Sequence, residues 1–402
     1  MLPFLALALL FLAGRRLPAS SRASFVLLLA TSPLLLLYAG EARAYGILAL
    51  LAFLLFRLAA GAEGNGARRV WLLAAIAAAA MWIHYLGIFV VGSLIVATSA
   101  LRRWRTAASI AAGFLLFLPW LHVFAAQPAA SMGWLHDKQA ATIQGFLADL
   151  GGGARLLPPF GLPLPKALLQ AAMVAALAVF VLVLPRLRAD SETRIGLATV
   201  FLTLGGVLAV AYVSQPIAVA GRTELAVLPI WLWLAARSGE TSRPARLAAI
   251  AVAAVGLASS LLILAAPRSN RPFADVPRRL LDSARPGDIA VGSANFYLPL
   301  RLEKDRGRLA ADLKAFPADL EAHPGWFVAK APTEAEYRTL EAQVAGVGPG
   351  RSVYLLIDPP FWNRRLQEMM AARGKPAVET LSYGIFVESR GSASASAPAS
   401  SR

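Results

Sequence analysis

Residues 70–101, VWLLAAIAAAAMWIHYLGIFVVGSLIVATSAL, decide how the chain is threaded. The stretch is 32 residues of apolar sequence interrupted only by His84. As one helix it would be about 48 Å long, too long for an upright crossing of a hydrocarbon core about 30 Å thick. Two short helical passes that turn near His84 fit the length better. The parity matters, because every later loop changes side if the stretch is read as one pass.

Other apolar runs fall near 2–13, 24–38, 45–58, 106–124, 167–185, 195–213, 223–236 and 246–266. Runs of about 17–25 residues suffice to span a bilayer. Those at 24–38, 45–58 and 223–236 are short and must borrow flanking Tyr, Ser and Ala. With the hairpin at His84 the chain is expected to cross about ten times. Arginines recur in the intervening loops at Arg15, Arg16 and Arg22, at Arg68 and Arg69, and at Arg102, Arg103 and Arg105. They return at Arg186, Arg188 and Arg194, then at Arg237, Arg243 and Arg246. The positive-inside rule puts these loops in the cytoplasm and the segments 39–44, 125–166 and 214–222 outside, with everything after Pro267.

Composition agrees. The 402 residues are 57% hydrophobic and 15% charged, with mean hydropathy +0.59. A soluble domain carries about 25% charged residues, so a single soluble globule is excluded. Lys and Arg outnumber Asp and Glu 20 to 8 up to Pro267, and only 19 to 15 beyond it. The basic excess belongs to the apolar part and marks topology, so no nucleic-acid partner is expected. The absence of Cys excludes thiolate chemistry and Cys-ligated metals.

Three parts are expected: a transmembrane bundle over 1–267, a small α/β domain over 268–390, and a low-complexity tail, GSASASAPASSR, over 391–402. In the second part Ile289–Ser293, Trp326–Ala329, Val353–Asp358 and Ala377–Glu388 read as strands. Residues 275–284, 312–322, 333–345 and 361–373 carry helical spacing. Alternating elements imply a layered α/β fold. The GVGPG stretch Gly346–Gly350 precedes a strand and reads as a turn, not a phosphate loop. The segment 125–166, with Gly151–Gly153 and Trp134, His136 and Phe146, is long for a connector. A functional piece and an ordinary loop both suit it.

Ionisable residues at the membrane boundary are costly and often functional. Tyr38-Ala39-Gly40-Glu41-Ala42-Arg43-Ala44-Tyr45 places a carboxylate and a guanidinium between two tyrosines. Glu41 could orient a hydroxyl or hold a metal, and Arg43 could take a phosphate through its planar fork; a solvated turn is the bland alternative. His84–Tyr85 interrupts the longest apolar stretch, where a lone His is more often structural. His122 and His136 lack metal-ligand spacing. Arg222, with Glu224, lies in an outer loop where the inside-positive trend does not explain it. Gripping a lipid phosphate together with Arg43 and snorkelling to headgroups are its two readings.

Five segments, in order, carry a family resemblance. SPLLLLYAGEARAYGILALL (32–51) resembles the Ser-Pro…Tyr-x-x-Glu-Ala-Arg-x-Tyr segment of GT-C membrane glycosyltransferases of the family-39 type, relatives of protein O-mannosyltransferases and lipid A aminoarabinose transferases. MWIHYLGIFVV (81–91) resembles their Thr-His-Tyr segment, and LLFLPWLHVFAAQ (115–127) their Leu-Pro-Trp helix end. SQPIAVAGRTELAVLPIWLWLA (214–235) resembles their Arg-Tyr-x-x-x-x-Leu-Pro segment. FADVPRRLLDSARPGDIAVGS (273–293) resembles the opening of their C-terminal extracytoplasmic domain. Gly40 stands where Gln or Arg is common, and Thr223 where Tyr is usual.

The resemblance implies an inverting sugar transfer from a polyprenyl-phosphate donor to an acceptor lipid, glycan or protein hydroxyl at the outer face of a bacterial inner membrane. It implies Arg43 and Arg222 as donor-phosphate ligands and Glu41 as a secondary carboxylate. Tyr45, His84 and Tyr85 stand behind them, and a divalent metal is a possible cofactor. The family's catalytic Asp lies on a first outer loop that would precede Met1. The run at 2–13 is short and starts outside, so the chain is expected to lack an N-terminal helix and to be inactive as given. A non-catalytic binder of lipid-linked glycan is the alternative; a secondary transporter is disfavoured by the lack of inverted repeats.

Overall fold

The computed structural model describes residues 19–39, 44–61, 66–125, 143–154, 164–188, 190–213, 217–219, 221–240, 242–265, 278–321, 332–358, 362–380 and 385–390. Contacts divide the chain into two compact units, one formed up to residue 266 and the other mainly from residue 267 on.

The first unit is helical. Its elements are α1 (Ala19–Thr31), α2 (Pro33–Ala39), α3 (Tyr45–Ala60), α4 (Ala67–Ile83), α5 (Leu86–Ala100) and α6 (Trp104–Ala125). They continue with α7 (Ile143–Leu150), α8 (Lys166–Val183), α9 (Ser191–Val213), α10 (Leu228–Ser238) and α11 (Arg243–Ala265). Three of the described stretches are long and apolar enough to cross a membrane: Lys166–Leu187, Ser191–Val213 and Arg243–Ala265. Shorter apolar helices accompany them, Tyr45–Ala60 and Leu86–Ala100 among them, and the unit has the make-up of a polytopic membrane protein. The first apolar run, 2–13, lies outside the described residues.

The stretch 70–101 is a helical hairpin. His84 takes extended backbone (φ −159°, ψ 138°) and ends α4. Its Nδ1 accepts the Leu86 N–H at 3.2 Å, which caps the start of α5. The turn closes tightly because Gly87 has no side chain: a Cβ there would stand 2.2 Å from the Ala80 carbonyl oxygen. At the other end Arg69 donates to the Leu58 carbonyl at 2.7 Å, and Arg103 to the Ala59 carbonyl at 2.9 Å and the Ser191 hydroxyl at 3.1 Å. These bonds gather the end of α3 and the starts of α4, α6 and α9 at one end of the bundle.

Two sequence expectations need correction here. The run 24–38 is not one helix; it breaks at Ser32, where Pro33 begins α2 and cannot donate to the preceding turn. The run 223–236 is not one continuous α-helix. It is a 3-10 turn, Glu224–Ala226, followed by the 11-residue α10, about 16 Å long. Ten of those 11 residues are buried, Arg237 being the exception. Its hydrophobicity serves burial among other helices on all sides.

The triglycine of the long segment is likewise interior. Gly151 through Gly153 are buried. A Cβ on Gly151 would meet the Ala172 carbonyl oxygen of α8 at 1.8 Å. One on Gly152 (φ +92°) would meet the Val252 carbonyl oxygen of α11 at 2.5 Å. Only glycine lets this backbone pass between the two helices. Trp134 and His136 lie outside the described residues, while Phe146 on α7 is buried in the bundle core.

The second unit is a three-layer α/β fold. Its elements are α12 (Arg278–Ser283), β1 (Ile289–Gly292), α13 (Ala294–Asp305), β2 (Asp312–Ala315), α14 (Glu334–Ala345), β3 (Ser352–Ile357), α15 (Arg364–Ala371), β4 (Ala377–Thr380) and β5 (Ile385–Arg390). The sheet order is β2-β1-β3-β5-β4, with β1 parallel to β2 and β3, and β5 antiparallel to β3 and β4. Alternate residues of β3 face opposite layers: Val353, Leu355 and Ile357 pack with Leu340 and Leu366, while Tyr354 and Leu356 pack with Leu280 and Leu300. Thr333 and Glu336 form a reciprocal cap at the start of α14.

The helix expected over 312–322 is instead β2, because Asp312–Ala315 pairs along β1; sheet pairing overrides the local helical spacing. The helix α13 was not foreseen, since Pro299 lies inside it. The strand expected at 326–329 and the tail 391–402 lie outside the described residues.

Candidate functional site

The turn before α10 is built from short local bonds. The Arg222 and Thr223 amides both donate to the Val219 carbonyl at 3.1 Å. The Thr223 hydroxyl accepts the Val219 N–H at 3.0 Å and returns a bond to the same residue's carbonyl. A Thr at this position therefore closes the turn on itself. Gly221, at φ +74°, supplies the left-handed step.

Arg222 is not at the surface. It is 7% exposed, which rules out an arginine extended to headgroups. Its Nε donates to the Tyr38 hydroxyl at 3.1 Å, and its guanidinium carbon lies 6.0 Å from the centre of the Tyr45 ring. Tyr38 and Tyr45 meet edge to face at 5.2 Å. The Tyr45 ring lies 4.8 Å from that of His84, and His84 lies 4.3 Å from Tyr85. Arg222, Tyr45, His84 and Tyr85, chosen from three distant parts of the sequence, thus form one cluster with Tyr38.

Glu41 and Arg43 lie outside the described residues. The two tyrosines that bracket their segment both touch Arg222. His122 is exposed on α6 and His136 is outside the described residues. Among the described residues no three His, Asp or Glu side chains gather as a metal-binding group.

Two members escaped sequence reading. Tyr38 passed as an interfacial aromatic, although it anchors the guanidinium. Asp149, on α7 and buried, accepts the Gly221 N–H at 3.2 Å. Its signal was available: an acidic residue in an apolar helix just before three glycines is costly unless partnered. Chemically, a guanidinium held by a phenol oxygen and faced by aromatic rings has the planar donor fork that suits an anion.

No protein-family model matches the chain. No curated protein matches it either. Among solved structures it is similar to ArnT from Cupriavidus metallidurans bound to undecaprenyl phosphate, with TM-score 0.56 and 12% identity, over 96% of this chain and 82% of that one. The apo structure of the same ArnT gives TM-score 0.56 and 12% identity, over 96% and 83%. At this identity the likeness is one of fold.

Proposed function

We propose that the chain is a multi-pass glycosyltransferase of the inner membrane that moves a sugar from a polyprenyl-phosphate donor to an acceptor hydroxyl, with its α/β unit and the Arg222 cluster on the outer side. The observation that carries the reading is the buried, tyrosine-anchored Arg222 on a fold shared with a protein solved with undecaprenyl phosphate. The ArnT fold belongs to the GT-C glycosyltransferases, the group the five sequence segments resemble.

In this reading a carboxylate takes the acceptor hydroxyl's proton. The acceptor oxygen attacks the anomeric carbon from the face opposite the donor phosphate, and the bond from that carbon to the phosphate oxygen breaks. The polyprenyl phosphate leaves with the electron pair. Arg222, with Arg43, stabilises the charge that develops on that phosphate, in surroundings where little water screens it. Glu41 orients the acceptor as a secondary carboxylate, while His84 and Tyr85 back the Tyr45 ring.

The test is binding of undecaprenyl phosphate to the purified full chain in nanodiscs, followed by transfer from polyprenyl-phosphate sugars. A charge-assisted bond contributes about 1.5–3 kcal/mol, so Arg222→Ala is expected to weaken phosphate binding about ten- to a hundredfold. Arg222→Lys should recover it only in part, since an ammonium lacks the planar fork. Equal binding by all three proteins would remove the assignment.

A further inference from the structure

Behind the Arg222 turn is a second group that sugar transfer does not use. Glu224 is 0% exposed, and neither of its carboxylate oxygens receives a hydrogen bond from a donor. The 3-10 turn that carries it packs against α3, α5, α7 and α10. The titratable and charged side chains those elements and the turn itself bring to this end are Tyr45 from α3, Tyr85 and His84 at the head of α5, Asp149 from α7, and Arg222. From α10 comes Trp231, whose indole N–H is already given to the Leu150 carbonyl at 2.9 Å. The charge that acts on Glu224 is that of Asp149. Asp149 in turn holds the Gly221 amide, one residue before Arg222.

Two neighbouring buried carboxylates do not both stay ionised. Glu224 precedes the first residue of α10 and lies outside the spanning helices. Burial first, and the Asp149 charge second, raise its carboxyl well above the usual range. We propose that Asp149 and Glu224 hold one proton between them, and that this acid pair is the latch that positions the Arg222 turn. The bond chain runs from Glu224 through the shared proton to Asp149, then to the Gly221 amide and the guanidinium beside it. Loss of the proton sets two anions against each other and pushes the turn off α7. Asp149 and Glu224 are therefore positioning residues. The latch rests on the reading of Arg222 as the phosphate ligand, whereas the shared proton does not.

The experiment separates the two. Infrared difference spectra of the full chain in nanodiscs should show the carbonyl stretch of a protonated carboxyl at neutral pH. The band should be absent from Glu224→Gln and from Asp149→Asn, whose amides donate permanently in place of the proton. Wild-type melting temperature should fall as pH rises above the ordinary carboxylate range, because the folded state alone retains the proton there. Glu224→Gln should not show that fall. No protonated band in the wild type, or a melting rise with added Mg²⁺ or Zn²⁺ that a chelator reverses, overturns the shared proton.

Undecaprenyl phosphate affinity, measured over the same pH range, tests the latch. At the alkaline end Glu224→Gln should bind about tenfold more tightly than wild type, and the two should converge in acid. Superimposable profiles overturn the positioning role. If the wild type binds no phosphate at any pH, the Arg222 reading falls, and the spectra and melting curves still decide the acid pair.

Discussion

Tyr38 and Arg222 are 184 residues apart in the chain and meet through a 3.1 Å hydrogen bond. The bond joins α2 to the turn before α10 and fixes which way the guanidinium fork points. Tyr38→Phe keeps the ring and its contact with Tyr45 while removing the acceptor. It is expected to weaken undecaprenyl phosphate binding about three- to tenfold, a fraction of the full strength of a charge-assisted bond. An equilibrium binding curve on the folded variant checks this, and an unchanged Kd would detach Tyr38 from the site.

At the opposite end of the bundle two carboxylates meet the arginines, Asp190 lying 3.4 Å from Arg237. Glu192 pairs with Arg57 and Arg237 and accepts the Trp233 indole N–H at 3.0 Å. Arg57 also lies 4.7 Å over the Trp233 ring. Glu192→Ala leaves two guanidinia together without their shared anion and should cost roughly 2–3 kcal/mol, below the full value for a buried pair because both arginines are about a third exposed. Glu192→Gln retains the indole's acceptor and should cost less. Thermal unfolding in detergent ranks them, and equal stability of Glu192→Ala and wild type would contradict the assignment.

A pair of glycine substitutions tests the close passage between α8 and α11. Gly151→Ala drives a methyl into the Ala172 carbonyl and should destabilise by at least about 2 kcal/mol. Gly92→Ala, inside α5 with nothing within 4 Å of the added carbon, should stabilise by roughly 0.5–1 kcal/mol. Shifts in the same direction for both would show that the packing around Gly151 is not what makes it glycine.

The α/β unit carries an acid-sensitive surface network. Arg365 bonds Glu334 and Glu341, and those bonds hold both carboxyls below the usual range. Their contribution is present above the ordinary carboxylate pKa and lost as pH falls through the lowered one. Arg365→Ala should flatten the stability profile between about pH 5 and pH 3. Melting temperatures across that window provide the check, and an identical slope in both proteins would refute it.

The proposed threading also has a direct test. Loops at 14–23, 59–69, 102–105, 186–194 and 237–246 are assigned to the cytoplasm by their arginines, and the end of the chain to the other side. A reporter that fluoresces only in the cytoplasm, fused after Arg402, should stay dark. Strong fluorescence would overturn the ten-pass count.

Much of this was legible beforehand. The break at His84 was readable because one polar residue divided a stretch too long for a single pass. Arg222 stood out by defying the charge trend. Burial was not legible: an apolar run such as 223–236 looks the same whether lipid or other helices cover it. Arg57 gave no warning inside its apolar run, because its partner Glu192 is contributed by a helix far along the chain. Asp312–Ala315 has helical spacing, and only the neighbouring strand makes it extended.

Because α10 is enclosed, its two tryptophans differ optically from the outward-facing ones of the same unit. Trp231 and Trp233 are 1% and 2% exposed, whereas Trp71 and Trp104 are 69% and 63% exposed. Brominated lipid tails quench only indoles they can reach. Emission from α10 would therefore persist in such lipids, while lipid-facing indoles of the helical unit are quenched.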